Sequence, residues 1–186
     1  MSGTKKPEVP RMTVGPGRIS WPEIDPPAET PDGLRYKMTL LLPPTLEGKR
    51  DAKRITDACM DLWVQKYGAD PKAWPANART PDKVVRDAGT KPNYAGYEAG
   101  WSFFSCSTAE RPGIVNGMLE PVADLKDLYA GRWAKISIRP FLYTIKGVGV
   151  SLGLSNIQLL KHDSVFGRSS PAQDFDVVAE EMSEDF

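Results

Sequence analysis

The sequence predicts a mainly β fold built around one main α-helix. Three observations carry that expectation. The 186 residues include 17 prolines and 16 glycines, a density that demands many turns and long connections. Several stretches alternate apolar and polar residues with period two, the spacing of a strand with one buried face. Only residues 47–67 carry a sustained apolar stripe at helical spacing. With 40% hydrophobic and 26% charged residues, a chain of this length suits one domain with a substantial core.

Residues 1–10 are polar and proline-bearing, and a disordered arm is expected there. Residues 11–20 (RMTVGPGRIS) predict a first strand, with a turn or bulge forced by Gly15-Pro16-Gly17. Pro22, Pro26, Pro27 and Pro31 follow so closely that residues 21–33 are expected to form a loop. In residues 34–43, Tyr36, Met38, Leu40 and Leu42 share one face of a strand, and Arg35, Lys37 and Thr39 the other. Ile55, Cys59, Leu62 and Trp63 form the stripe of the helix over 47–67, and Gly68 is placed to cap it. Lys49, Arg50, Lys53 and Arg54 near its start read best as a solvated face.

Residues 69–96 make a long proline-punctuated connection, with one short helix opened by Thr80-Pro81-Asp82. Its Lys72, Arg79, Lys83, Arg86 and Lys91, together with Trp74 and Tyr94, suit a flap that closes over a polymer. Residues 97–105 (YEAGWSFFS) predict a strand with Tyr97, Ala99, Trp101 and Phe103 on one face, suited equally to burial and to base stacking. Residues 111–115 (RPGIV) begin a short edge segment, and 119–131 form a loop or short helix.

Residues 132–145 (RWAKISIRPFLYTI) are the most informative stretch. Ala134, Ile136, Ile138, Pro140 and Leu142 fall on one face of a strand; Trp133, Lys135, Ser137, Arg139, Phe141 and Tyr143 fall on the other. Flat rings alternating with cations are what a surface needs to stack bases and neutralise phosphates. Cross-strand packing on a solvated face uses the same residue types. Lys146-Gly147 turns the chain, and residues 148–161 are expected to return antiparallel. Val148, Val150, Leu152 and Leu154 make its apolar face, while Gly147, Gly149, Ser151, Gly153 and Ser155 leave the other nearly bare. A bare strand face implies something lying close against it, either neighbouring rings or a ligand.

The formal net charge of zero hides an asymmetry. No Lys or Arg follows Arg168, whereas Asp174, Asp176, Glu180, Glu181, Glu184 and Asp185 stand in the last 13 residues. Residues 1–173 therefore hold 24 basic against 18 acidic side chains, a formal +6. Two cysteines 47 residues apart and a single His162 lack metal-ligand spacing and imply a reducing, intracellular setting without a disulfide framework. The N-terminus is not followed by the apolar run of a secretory signal, and no stretch has the length of a membrane span. No Walker loop, GxSxG elbow or HExxH occurs, so catalysis and cofactors are not expected.

Five or so strands, one helix and basic–aromatic outer faces fit an OB-fold-like five-stranded antiparallel barrel with long loops and a disordered acidic tail. The segments RPGIV (111–115), LYAGRWAKISIRPFLY (128–143) and GVGVSLGLSNIQLL (147–160), with the acidic tail ending in Phe186, resemble phage-encoded OB-fold single-stranded DNA-binding proteins. The resemblance implies an arm over 1–10, a DNA-binding domain over 11–167 and a flexible tail over 168–186. It also implies that Glu184, Asp185 and Phe186, with Glu180 and Glu181, dock replication proteins such as a polymerase, helicase or primase and compete with DNA. The residues themselves nominate Arg35, Lys37, Lys135 and Arg139 for phosphates and Trp101, Phe103, Trp133, Phe141 and Tyr143 for bases. The expected setting is the cytoplasm of a bacterial host, with no membrane partner; a homodimer is compatible with the sequence. Two other readings are a phage structural or adaptor protein gripping another protein through the same face, and a metal-dependent nuclease.

Overall fold

The computed structural model describes residues 9–167. Seven strands and one long helix follow in the order β1 (Met12–Thr30), β2 (Gly33–Leu42), α1 (Leu46–Tyr67), β3 (Arg86–Asp87), β4 (Ser102–Thr108), β5 (Gly113–Val115), β6 (Trp133–Tyr143) and β7 (Gly149–Leu159). The sheet order is β3-β4-β2-β1-β6-β7-β5. A parallel pairing of Ser107 on β4 with Gly153 on β7 closes β4, β2, β1, β6 and β7 into a five-stranded barrel. The closing contact is thus parallel, while the other barrel pairs are antiparallel.

The alternation expected of the strands decides what enters the barrel. Met38, Leu40 and Leu42 from β2, Phe104 and Cys106 from β4, Ala134, Ile136 and Ile138 from β6, and Val150, Leu152 and Leu154 from β7 are all buried in one core. Helix α1 closes one end with Ile55, Cys59 and Trp63. Thr45 caps its start by accepting from Gly48 N–H at 3.1 Å, and Gly68, at φ 80°, ends it. Asp51 is buried on the helix face; it accepts from Gly15 N–H at 2.9 Å and from Arg54 at 2.8 Å. That fixes the bulge between Val14 and Gly17 against the helix.

Three expectations are corrected. Residues 21–33 are not one loop, because β1 continues to Thr30 and pairs with β2 from Glu23↔Lys37 to Thr30↔Gly33. Its prolines are accommodated because they fall in the register breaks: Pro22 lies between Ser20 and Glu23, and Pro26 and Pro27 lie between Glu23 and Ala28. Proline lacks a ladder donor, so bulges are where a strand tolerates it. The strand expected over 97–105 begins only at Ser102, since Gly100 at φ 86° belongs to a turn, and it runs on to Thr108. Residues 69–96 are not a free flap: Ala78 and Val84 join the main core, while Ala88, with Tyr97 just beyond, packs against Leu41 and Phe103 on the barrel's outside. Thr80 does precede a single 3-10 turn, Pro81–Lys83.

Candidate nucleic-acid interface

Outside the barrel, the strand registers bring side chains from distant parts of the chain into cross-strand rows. One row runs Glu23–Lys37–Ser107–Gly153–Arg139, over β1, β2, β4, β7 and β6. Two cations therefore face each other across two minimal side chains. Glu23 pairs with Lys37 at 3.6 Å. A second row runs Phe103–Leu41–Arg18–Trp133, over β4, β2, β1 and β6. Between them lies Ser20–Thr39–Ser105, where the Thr39 and Ser105 hydroxyls are 2.9 Å apart. The three rows form a track along β2 and β4, roughly 13 Å from Leu41 to Lys37 at the rise of a strand; Ala88 and Tyr97 cover its Leu41–Phe103 end, so its open part is the row from Lys37 to Arg139. This is the pair of strands an OB barrel offers to oligonucleotides.

The expected site residues divide between the ends of this track. At one end, Arg139, Phe141 and Tyr143 stand opposite Gly153, Ser151 and Gly149 in register. Here the bare face of β7 finds its explanation. A Cβ on Gly149 would lie 2.5 Å from the Tyr143 hydroxyl and 2.8 Å from Arg79 Cβ, so the Tyr143 ring is laid across that glycine. Gly153 has room, with Arg139 O at 3.5 Å and Phe141 Cδ1 at 3.8 Å from the same notional atom. At the other end, Trp101 and Trp133 approach to 6.1 Å between ring centroids. Trp133 Nε1 donates to Asp163 at 2.7 Å, and Lys161 lies 4.9 Å from its ring. The hydrogen bond from Trp133, then that from Ser164 N–H, holds the Asp163 carboxyl below the usual carboxylate range.

Phe103 is only 3% exposed and lies beneath the Arg86 guanidinium at 4.5 Å, so its ring packs the floor of the track. Lys135 on β6 stands opposite Gln158 on β7 and belongs to none of the rows. Arg35 is half-buried beyond Lys37, paired in register with Ala28. Glu180, Glu181, Glu184, Asp185 and Phe186 lie outside the described residues, as do most of the arm and the tail.

Several further residues border the track: Arg79 and Arg86 come from the long connection whose cations the sequence singled out, whereas nothing in the sequence pointed to Arg18. Arg79 bridges to Gly149, with its N–H donating to Val148 O at 3.0 Å and its carbonyl accepting from Val150 N–H at 3.1 Å. Burial, and next the charge of Arg79, push Arg86 below its ordinary value. Arg18 lies 4.3 Å from the Phe166 ring and 6.0 Å from that of Trp133. At the far end, Lys146 in the β6–β7 turn donates to Asp32 in the β1–β2 turn at 2.8 Å, joining the two hairpin tips. Among the described residues, no three His, Cys, Asp or Glu side chains gather as a metal site.

A closed five-stranded barrel with an aromatic and basic track over its second and third barrel strands defines an OB-type protein. Residues 11–186 match the family model described as Enterobacter phage Enc34, ssDNA-binding protein, and the chain belongs to that family. Among solved structures it is similar to the single-stranded DNA-binding protein from bacteriophage Enc34 in complex with ssDNA. The identity is 23% and the TM-score 0.68, over 84% of this chain and 89% of that one. A second structure of the single-stranded DNA-binding protein from bacteriophage Enc34 gives 22% and 0.67, over 89% and 90%. The gp2.5 single-stranded DNA-binding protein encoded by bacteriophage T7 gives 16% and 0.58, over 90% and 92%. At these identities the likeness establishes the fold. No curated protein matches the chain.

Proposed function

We propose that this chain binds and protects single-stranded DNA during phage replication, recombination or repair, in the cytoplasm of the host and without catalysing a reaction. The observation that carries the reading is the row Lys37–Ser107–Gly153–Arg139: two cations across a floor with almost no side chains, continuous with rings at both ends. Family membership supports the same partner. Arg35, Lys37 and Arg139, with Arg79 and Arg86 beside them, meet phosphates; Trp101, Trp133, Phe141 and Tyr143 offer ring faces to bases. Phe103 supports the floor, and Lys135 contributes charge from outside the rows. Each stacked base supplies about 1–3 kcal/mol with little sequence preference, because every base has a π-face.

Residues 11–167 form the binding domain, flanked by an arm over 1–10 and the acidic segment 168–186. That segment, through Glu180, Glu181, Glu184, Asp185 and Phe186, competes with DNA for the basic track and recruits replication proteins. A titration of dye-labelled oligo-dT tests the first claim. With about four phosphates neutralised, log K falls against log salt with a slope of roughly −3. Absent or salt-independent binding would end the reading. Deleting residues 174–186 tests the second: affinity rises and partner capture is lost, whereas unchanged affinity would remove the competition.

A further inference from the structure

A cavity of about 470 Å³ opens beside the track, lined by Ser20, Trp21, Asn93, Tyr94 and Phe166 among others. Its volume lies in the range of small-ligand pockets, about 300–1,000 Å³. We propose that it takes a single unstacked nucleobase from a strand lying on the track, stacked on the exposed ring of Trp21 beside Tyr94. The proposal rests on the single-strand reading above and adds a base site to it.

Four observations point to that occupant. Trp21 has φ 47°, a left-handed conformation that a bulky side chain rarely adopts. It sits in the register break between Ser20 and Glu23, a bulge of the kind that re-aims a side chain. The break turns the ring outward, leaving it 62% exposed, and Tyr94 faces it edge-on at 5.7 Å while itself 44% exposed. An edge-to-face pair of large rings at the surface, with Trp21 on strained backbone and mostly exposed, offers an open ring face that suits a flat π-system better than core packing.

The cavity is also continuous with the track. Ser20, in its wall, is the β1 member of the row Ser20–Thr39–Ser105. Edge contacts pass from Trp21 through Tyr94 and Tyr97 to Phe103, at 5.7, 5.5 and 5.1 Å. Charge fits the backbone that would carry the base. Arg18 lies against Phe166 of the cavity wall, and the Lys91 ammonium lies 5.5 Å from the Tyr94 ring. Ser20 and Asn93 give hydroxyl and amide groups for base edges without committing to one base.

The test uses the full chain and oligo-dT carrying 5-iododeoxyuridine. Irradiation is expected to cross-link the oligonucleotide to Trp21 or Tyr94, identified by mass spectrometry. Trp21→Gly removes the ring and suits the positive φ, so thermal stability is held or raised while affinity falls about tenfold. Trp21→Phe keeps a ring and binds within about twofold of the parent. Cross-links confined to other peptides would overturn the site, as would equal binding by parent and Trp21→Gly. Either of these leaves the track standing if the parent binds oligo-dT; a parent that fails to bind ends both readings.

Discussion

Gly153 offers a direct test of the track, because fold and binding make opposite demands on it. It lies between Ser107 and Arg139 in register, facing outward at the point where the barrel closes. A Cβ there meets nothing nearer than Arg139 O at 3.5 Å and Phe141 Cδ1 at 3.8 Å, ordinary contact distances. Gly153→Ala is therefore expected to stabilise the protein, since glycine in a strand interior costs about 0.5–1 kcal/mol relative to alanine. For a domain of this size that is a rise in Tm of about 1–4 °C. Gly153→Glu adds a carboxylate one strand spacing, about 4.8 Å, from the β6 backbone at Arg139, and two spacings from Lys37.

A unit charge at about 5 Å is worth about 1–3 kcal/mol between the dielectric of water and that of a protein surface. Binding by the Glu variant should therefore weaken about five- to a hundredfold at low salt. One cation turned from phosphate to the new carboxylate lowers the salt slope from roughly −3 to roughly −2. Oligo-dT titrations at about 50 and about 200 mM salt, with Gly153→Gln as the neutral control for bulk, separate charge from obstruction. A folded Gly153→Glu chain that binds like Gly153→Ala, with an unchanged salt slope, would show that DNA does not cross β7.

Three further outcomes are expected. Gly149→Ala, unlike Gly153→Ala, forces Tyr143 off the strand and lowers both Tm and affinity, checked by melting and titration of the two variants together. Asp32→Asn frees Lys146 from its partner, so affinity at low salt rises and the salt slope steepens by about 0.7. The hydrogen bond from Lys146 holds Asp32 below the usual carboxylate range. The pair therefore persists above that range and opens only as pH falls through the lowered value, making the effect of Asp32→Asn constant between about pH 5 and 8. Cys59 and Cys106 are buried, and burial pushes both thiols up to about 12. A thiol reagent at neutral pH should label them only as the protein unfolds, and rapid labelling of the native chain would contradict the packing described for the barrel.

Much of the barrel was legible because one-sided burial writes itself as alternation. The faces of β2 and β6 came through intact, and so did the stripe Ile55, Cys59, Trp63 on α1. β1 was half missed because proline density reads as loop, and nothing local shows that each proline falls in a register break. The site was less legible. The rings and cations of β6 were visible, but their neighbours depend on registers between strands far apart in the chain. Sequence alone put Trp133 and Arg139 on one face, and the rows carry them to opposite ends of the track. Trp21 escaped notice because its exposure comes from a backbone conformation, φ 47°, with no residue signature of its own.

Barrel closure explains why one basic–aromatic strand did not suffice to define the site. Along β6 alone, Trp133, Lys135, Arg139, Phe141 and Tyr143 make a single stripe, and a stripe on one strand meets a polymer along one line only. Pairing Ser107 with Gly153 joins β4 to β7, so Lys37 and Arg139, about a hundred residues apart, face each other over a smooth floor. On the proposed reading, phosphates are met on both sides while bases find rings at either end. None of these contacts depends on a base edge, since cations read backbone charge and rings read π-faces. The proposed indifference to sequence is what a surface with charge and flat area but few fixed donors and acceptors would give. The hydroxyls of Thr39 and Ser105 do not alter this, because they are already bonded to each other.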